Sequence, residues 1–311
     1  MPLSDYAALV AGLVCAGIGG EVFVRGAVTL AHWARVSPGI VGATVAAFAT
    51  SSPELSVSVS SALAGKPQIA LGDALGSNVV NVALILALAL LVSGLRSSRD
   101  AVWRDFPVAL MVPVITGALF VDGVLSRLDG VLLLGLFTAW LVATVVEARR
   151  QRKATQSAVA QRRGWAALMS CIAGLGLLVA AGRFIVVGAR GIAVSFGVDE
   201  FVIGATVVAI GTSVPELATA MVAALRGHSE VGLGTILGSN IFNGLFIVGV
   251  AAVLHPIAVD WHELAVALGF GLLAVALTFP TRGGVIERRR GVLLLVVYGM
   301  YLSAVIVPKV A

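Results

Sequence analysis

The chain has 311 residues, of which 59% are hydrophobic and only 12% charged, with a net charge of +5 and a mean hydropathy of +1.03. A soluble domain of this length cannot hide that much apolar surface, because its surface-to-volume ratio turns more polar side chains outward. The basic excess lies between apolar stretches, so it does not point to nucleic acid, and the solvent that fits this composition is a lipid bilayer.

Breaks at charged, Pro and Gly clusters predict spans at about 6–31, 38–64, 68–94, 106–122, 129–147, 165–193, 201–225, 231–254, 262–281 and 291–308. Each is near the roughly 20 apolar residues that a membrane helix needs. The first stretch has an acidic flank at Asp5 and runs through Glu21 and Arg25, so it reads as a retained span and not a secretory signal. Cys15 and Cys171 lie inside apolar stretches, where they read as small packing residues and not as a disulfide or a metal site. The polar segment from Glu147 to Gly164 separates two halves of five spans. The expected division is therefore 1–148, a basic linker at 149–163, and 164–311. The fold class expected is an all-α membrane protein of ten transmembrane helices arranged as two inverted five-helix repeats.

Basic residues set the expected orientation. With the linker in the cytoplasm of a cell (inner) membrane, fifteen Lys and Arg fall on that side and only Lys66, Arg127 and Lys309 on the other. Both termini are then expected outside.

The inverted repeat rests on direct self-similarity. GATVAAFATSSPELSVSVSSALAGKPQIALGDALGSNVVN (42–81) aligns without a gap to GATVVAIGTSVPELATAMVAALRGHSEVGLGTILGSNIFN (204–243), with 20 of 40 positions identical. Five spans separate the copies, and an odd number reverses their direction across the membrane. Inverted repeats with interrupted apolar segments at matching places point to a binding site at the repeat interface, near mid-membrane.

Each copy carries a carboxylate in an apolar helix, Glu54 and Glu216. An ionised Glu there is costly unless something offsets its charge. No Lys or Arg stands at an equivalent position in these helices, which leaves a bound cation as the expected partner. Thr50 and Thr212 precede the two Glu by one helical turn, with Ser51 and Ser213 beside them. Pro53 and Pro215 free the carbonyls of Ala49 and Gly211. In the following G-S-N-x-x-N, Ser77 shares a helical face with Asn81, and Ser239 with Asn243, while Asn78 and Asn240 fall one position off that face. Such residues also glue membrane helices together. Hard oxygen donors without His or Cys suit Na⁺ or Ca²⁺ and not zinc or copper.

These paired segments resemble the α1 and α2 repeats of the cation/calcium antiporter superfamily, and most closely its prokaryotic sodium/calcium exchanger branch. The resemblance implies four clustered cation sites between the second, third, seventh and eighth spans. By position, the implied ligands are Thr50, Ser51, Glu54, Ser77 and Asn81 in one half and Thr212, Ser213, Glu216, Ser239 and Asn243 in the other, with carbonyls near Ala47 and Ala209. It also implies that the Gly-rich first and sixth spans slide to alternate access. Two positions depart from the pattern: Asn243 stands where relatives often carry Asp, and Asp73 where they often carry Asn.

The function implied is exchange of Ca²⁺ for Na⁺, with inorganic cations and the bilayer as partners, no cofactor, no nucleic acid and no obligate protein partner. A proton- or potassium-coupled calcium antiporter of the same fold is the alternative, although the proton branch carries GN-x-x-E in place of GTS-PEL. A cation channel is more remote, because internal inverted duplication is a transporter device. An enzyme with Ser51 or Ser213 as nucleophile lacks a His or Lys base at matching depth.

Overall fold

A computed structural model describes residues 3–97, 99–154, 161–195, 209–259, 261–281 and 284–310. The described chain is mostly helical, with four two-residue strands. Helix α1 (Leu3–Ala34) ends where Arg35 takes a positive φ of 59° ahead of Ser37 and Pro38. Helices α2 (Pro38–Thr50) and α3 (Ser52–Leu63) form one apolar element bent by 46° at Ser51. Helix α4 (Pro67–Val92) follows a tight turn at Gly65, whose φ of 72° disfavours a side chain. Strand β1 (Leu95–Arg96), helix α5 (Arg99–Leu119), strand β2 (Val124–Leu125) and helix α6 (Arg127–Ala154) complete the first half.

The second half repeats this order in α7 (Gln161–Ser195), α8 (Ala209–Thr212), α9 (Val214–Leu225), α10 (Ser229–Leu254), β3 (Ile257–Ala258), α11 (Trp261–Leu277), β4 (Val285–Ile286) and α12 (Arg288–Val310). The 162-residue sequence offset carries Ser52–Leu63 onto Val214–Leu225 and Leu95–Arg96 onto Ile257–Ala258. Gly227, with φ 75°, makes the second half's copy of the Gly65 turn.

Six helices among the described residues are long and apolar enough to cross a membrane, and the bent α2–α3 pair makes a seventh. The chain is thus a helical, multi-pass membrane protein. The sequence predicts ten spans. Val214–Leu225 falls short by length because most of the first half of its span (201–208) lies outside the described residues, and Leu264–Leu277 is itself a shorter apolar helix. The apolar side chains left outward, among them Leu13, Val14, Ile18, Leu132 and Val142, are the surface that lipid would cover. Helix extends into both ends of the 149–163 segment, since α6 runs on through Ala154 and α7 begins at Gln161.

Two close packings organise the bundle. Helices α1 and α7 pack antiparallel along small residues. A Cβ on Gly19 would come within 2.9 Å of Leu177, and one on Gly26 within 2.9 Å of the backbone of buried Cys171. Lipid gives apolar helices little reason to associate, so close backbone approach through small residues supplies the contact. Helix α10 meets α2 in the same way, with Gly238 against the backbone of Ala43. The strands cross between the halves: β1 pairs antiparallel with β4, and β2 with β3. Since β1 corresponds to β3 and β2 to β4, the two ladders are copies of each other.

Candidate functional site

At the centre the chain leaves regular helix at matching places in the two halves. Ser51 (φ −86°, ψ 11°) and Ser213 (φ −88°, ψ 8°) are the two breaks, each just ahead of a new helix start. Pro53 and Pro215 sit in the first turn of the new helices, where a missing N–H costs nothing. The break falls two residues before each proline, at Ser51 and Ser213, between the proline and the Ala49 or Gly211 carbonyl to which it cannot donate. Glu54 and Glu216 therefore project from the first turn of α3 and α9.

In the facing helices, α-geometry widens to π-helix over Val80–Leu86 and Phe242–Ile247. These segments begin beside Asn81 and Asn243, and such π-segments recur at functional sites because they re-aim side chains.

Glu54, Glu216, Thr50, Ser51, Ser77, Asn81, Ser213, Ser239 and Asn243 are all buried, with Glu216 and Asn243 at 0% exposure. Glu216 Oε1 accepts a hydrogen bond of 3.1 Å from the Ser51 hydroxyl of the other half. One further oxygen of each acid, Glu54 Oε2 and Glu216 Oε2, is sealed without a hydrogen-bond partner. The same holds for Ser213 Oγ, Ser239 Oγ, Asn81 Oδ1 and Asn243 Oδ1. Buried oxygens of this kind ordinarily find a donor. A cluster of them around two acids offers hard oxygen donors of the kind that Na⁺ and Ca²⁺ prefer.

Other candidate residues are placed differently. The carbonyl of Ala47 accepts the Thr50 hydroxyl at 3.4 Å and the Ser51 N–H at 3.0 Å. Thr212 lies at the edge of a cavity of about 610 Å³, which is also lined by Ser52, Pro53, Gly182, Arg183 and Pro215. Ala209 opens helix α8, and its side-chain surroundings lie outside the described residues, as do the 204–208 start of the second motif.

Asn78 and Asn240, off the ligand face in the sequence, form a reciprocal clasp. Asn78 Nδ2 donates to the Asn240 carbonyl at 3.2 Å, and Asn240 Nδ2 donates to that of Asn78 at 3.1 Å. Asn81 Nδ2 joins it by donating to Asn240 Oδ1 at 3.2 Å, which turns the Asn81 oxygen away from the clasp.

A third fully buried acid gives the contrast. Asp105 is held by Arg104 through two bonds of 2.8 Å and by the Trp140 indole N–H at 3.2 Å. Where this fold buries a carboxylate for structure it supplies a cation of its own. Glu54 and Glu216 have none among the described residues.

The chain matches the sodium/calcium exchanger protein family over residues 4–146 and 166–307. It belongs to that family. It is 36% identical over 263 residues to the inner membrane protein YrbG of Escherichia coli (strain K12), covering 82% of this chain and 81% of that one. It is 27% identical to the sodium/calcium exchanger MaX1 of Methanosarcina acetivorans, covering 96% of this chain and 97% of that one. Among solved structures, the sodium-calcium exchanger NCX_Mj soaked with Na⁺ and Sr²⁺ superposes with a TM-score of 0.85 at 29% identity, covering 97% of this chain and 99% of that one. This family member is an antiporter of inorganic cations including calcium, embedded in a membrane by many helices.

Proposed function

We propose that this family member exchanges Ca²⁺ for Na⁺ by alternating access, with both ions competing for donors around Glu54 and Glu216. The observation that carries this reading is the pair of fully buried carboxylates, each with an unpartnered oxygen and neither ion-paired among the described residues. Their two negative charges balance one Ca²⁺ or two Na⁺. The ligand set is Thr50, Ser51, Glu54, Ser77 and Asn81 with Thr212, Ser213, Glu216, Ser239 and Asn243, joined by carbonyls near Ala47 and Ala209. The hydroxyl and amide donors favour Na⁺ as coupling ion over H⁺, since protons need only the carboxylates. Calcium uptake into proteoliposomes under imposed Na⁺ or pH gradients tests the reading.

The same proposal has ten spans in two inverted halves, 1–148 and 164–311, joined by a cytoplasmic linker at 149–163, in a cell (inner) membrane with both termini outside. The crossed strand pairs support it. In this topology β1 and β4 share the cytoplasmic face and β2 and β3 the outer one, so each strand meets a partner on its own side. A single cysteine at position 155, in a chain without Cys15 and Cys171, is expected to resist impermeant thiol reagents in intact cells and to react once the cells are opened. Labelling of intact cells at 155 would reject the topology.

A further inference from the structure

The two halves match closely at the site, and one charged position breaks the match. Asp73 lies on α4, on the face that continues through Ser77 and Asn81 at four-residue steps. Its counterpart in the second half is Thr235, a buried hydroxyl that donates to its own helix at Val231 O, 2.9 Å away. Asp73 has no such outlet. Its Oδ2 is sealed without a hydrogen-bond donor, and no Lys or Arg pairs with it among the described residues. It does not converge with Glu54 and Glu216 on one ion position, since no group of three acidic or metal-binding side chains among the described residues does so.

Depth explains the difference. Six residues at about 1.5 Å each put Asp73 roughly 9 Å into α4 from Pro67, while Asn81 lies about 21 Å in. Gly72, beside Asp73, is exposed, whereas Ser77 and Asn81 are buried. Asp73 itself is half-buried, one step along the helix from exposed Gly72 and one turn from buried Ser77.

We propose that Asp73 is a specificity-determining cation station at the mouth of one half-site, holding a divalent cation on its way to Glu54 and making the transporter bind calcium unequally from its two faces. The proposal rests on the exchange function given above and adds a sidedness that the duplicated ligands alone do not have. A carboxylate present in one half only attracts cations from the face on which α3 joins α4 and does little for the other.

The test measures calcium uptake against calcium concentration in right-side-out and everted vesicles. With Asp73→Asn, half-saturating calcium is expected to rise roughly tenfold on the α3–α4 face and less than about twofold on the other, with the maximal rate kept. Asp73→Cys, in a chain without Cys15 and Cys171, adds a readout that a structural role would not move. A negatively charged sulfonate thiol reagent should restore the affinity on that face, and a positively charged ammonium reagent should weaken it further. The Cys variant also serves if the Asn variant does not reach the membrane. Equal changes on both faces, no change, or indifference to the sign of the attached charge would overturn the station. Wild-type vesicles without any calcium uptake would instead overturn the exchange function itself, and the station with it.

Discussion

Glu54→Gln and Glu216→Gln are each expected to lower calcium transport by two to three orders of magnitude while leaving a folded, monodisperse protein. At about 4 Å and an effective dielectric near 20, two unit charges interact by roughly 4 kcal/mol, and a divalent ion loses more than that with each carboxylate. An amide offers one oxygen where the carboxylate offers two, and it carries no charge. The fold is expected to be kept, because neither acid has an ion-pair partner among the described residues, and the amide of Glu216→Gln keeps an oxygen for the Ser51 hydroxyl. Flux in proteoliposomes with size-exclusion chromatography of the same preparations checks both halves of the expectation. Wild-type flux in either mutant would remove that residue from the site.

Arg104→Ala is expected to do the opposite and to damage the fold before the transport chemistry. Asp105 is wholly buried, and its charge is matched by the two-pronged Arg104 contact, with Trp140 adding one neutral donor. Removing one partner of a buried pair strands the other charge, which costs about 3–5 kcal/mol. A thermal scan of purified protein should show a large fall in midpoint, or no folded protein at all. Arg104→Ala combined with Asp105→Asn should recover much of the loss, because the stranded charge is gone. The two predictions separate acids that serve the fold from acids that serve a cargo.

Much of the site was legible in the sequence because the chain states it twice. A single Glu54 in an apolar helix could be a protonated or paired acid. The 20 identities in 40 aligned positions fix Glu216 as its equal and bring the hydroxyls and Asn residues with it. What the sequence does not carry is contact across the repeat. Ser51 bonding to Glu216 joins residues 165 apart, and the Asn78–Asn240 clasp joins residues 162 apart. Helical periodicity says which residues share a face of one helix, and it is silent on what that face meets. The same limit hid Asp105, because Arg104 is adjacent in sequence and reads as a loop charge, while Trp140 arrives from another helix. The position of the break at Ser51 is not legible for a local reason: a proline marks a disruption but does not say whether it ends one helix or begins the next.

The sodium coupling proposed above uses the same charge count. Two carboxylates accept one Ca²⁺ or two Na⁺ without excess charge, so raising Na⁺ on one face should displace calcium from donors they share. Proteoliposomes loaded with Na⁺ and diluted into Na⁺-free medium with ⁴⁵Ca, at equal pH inside and out, give the most direct test. The account predicts rapid calcium accumulation that collapses when the Na⁺ gradient is abolished and is absent from Glu54→Gln vesicles. Accumulation that ignores Na⁺ and follows an imposed pH gradient would contradict it and assign the exchange to protons.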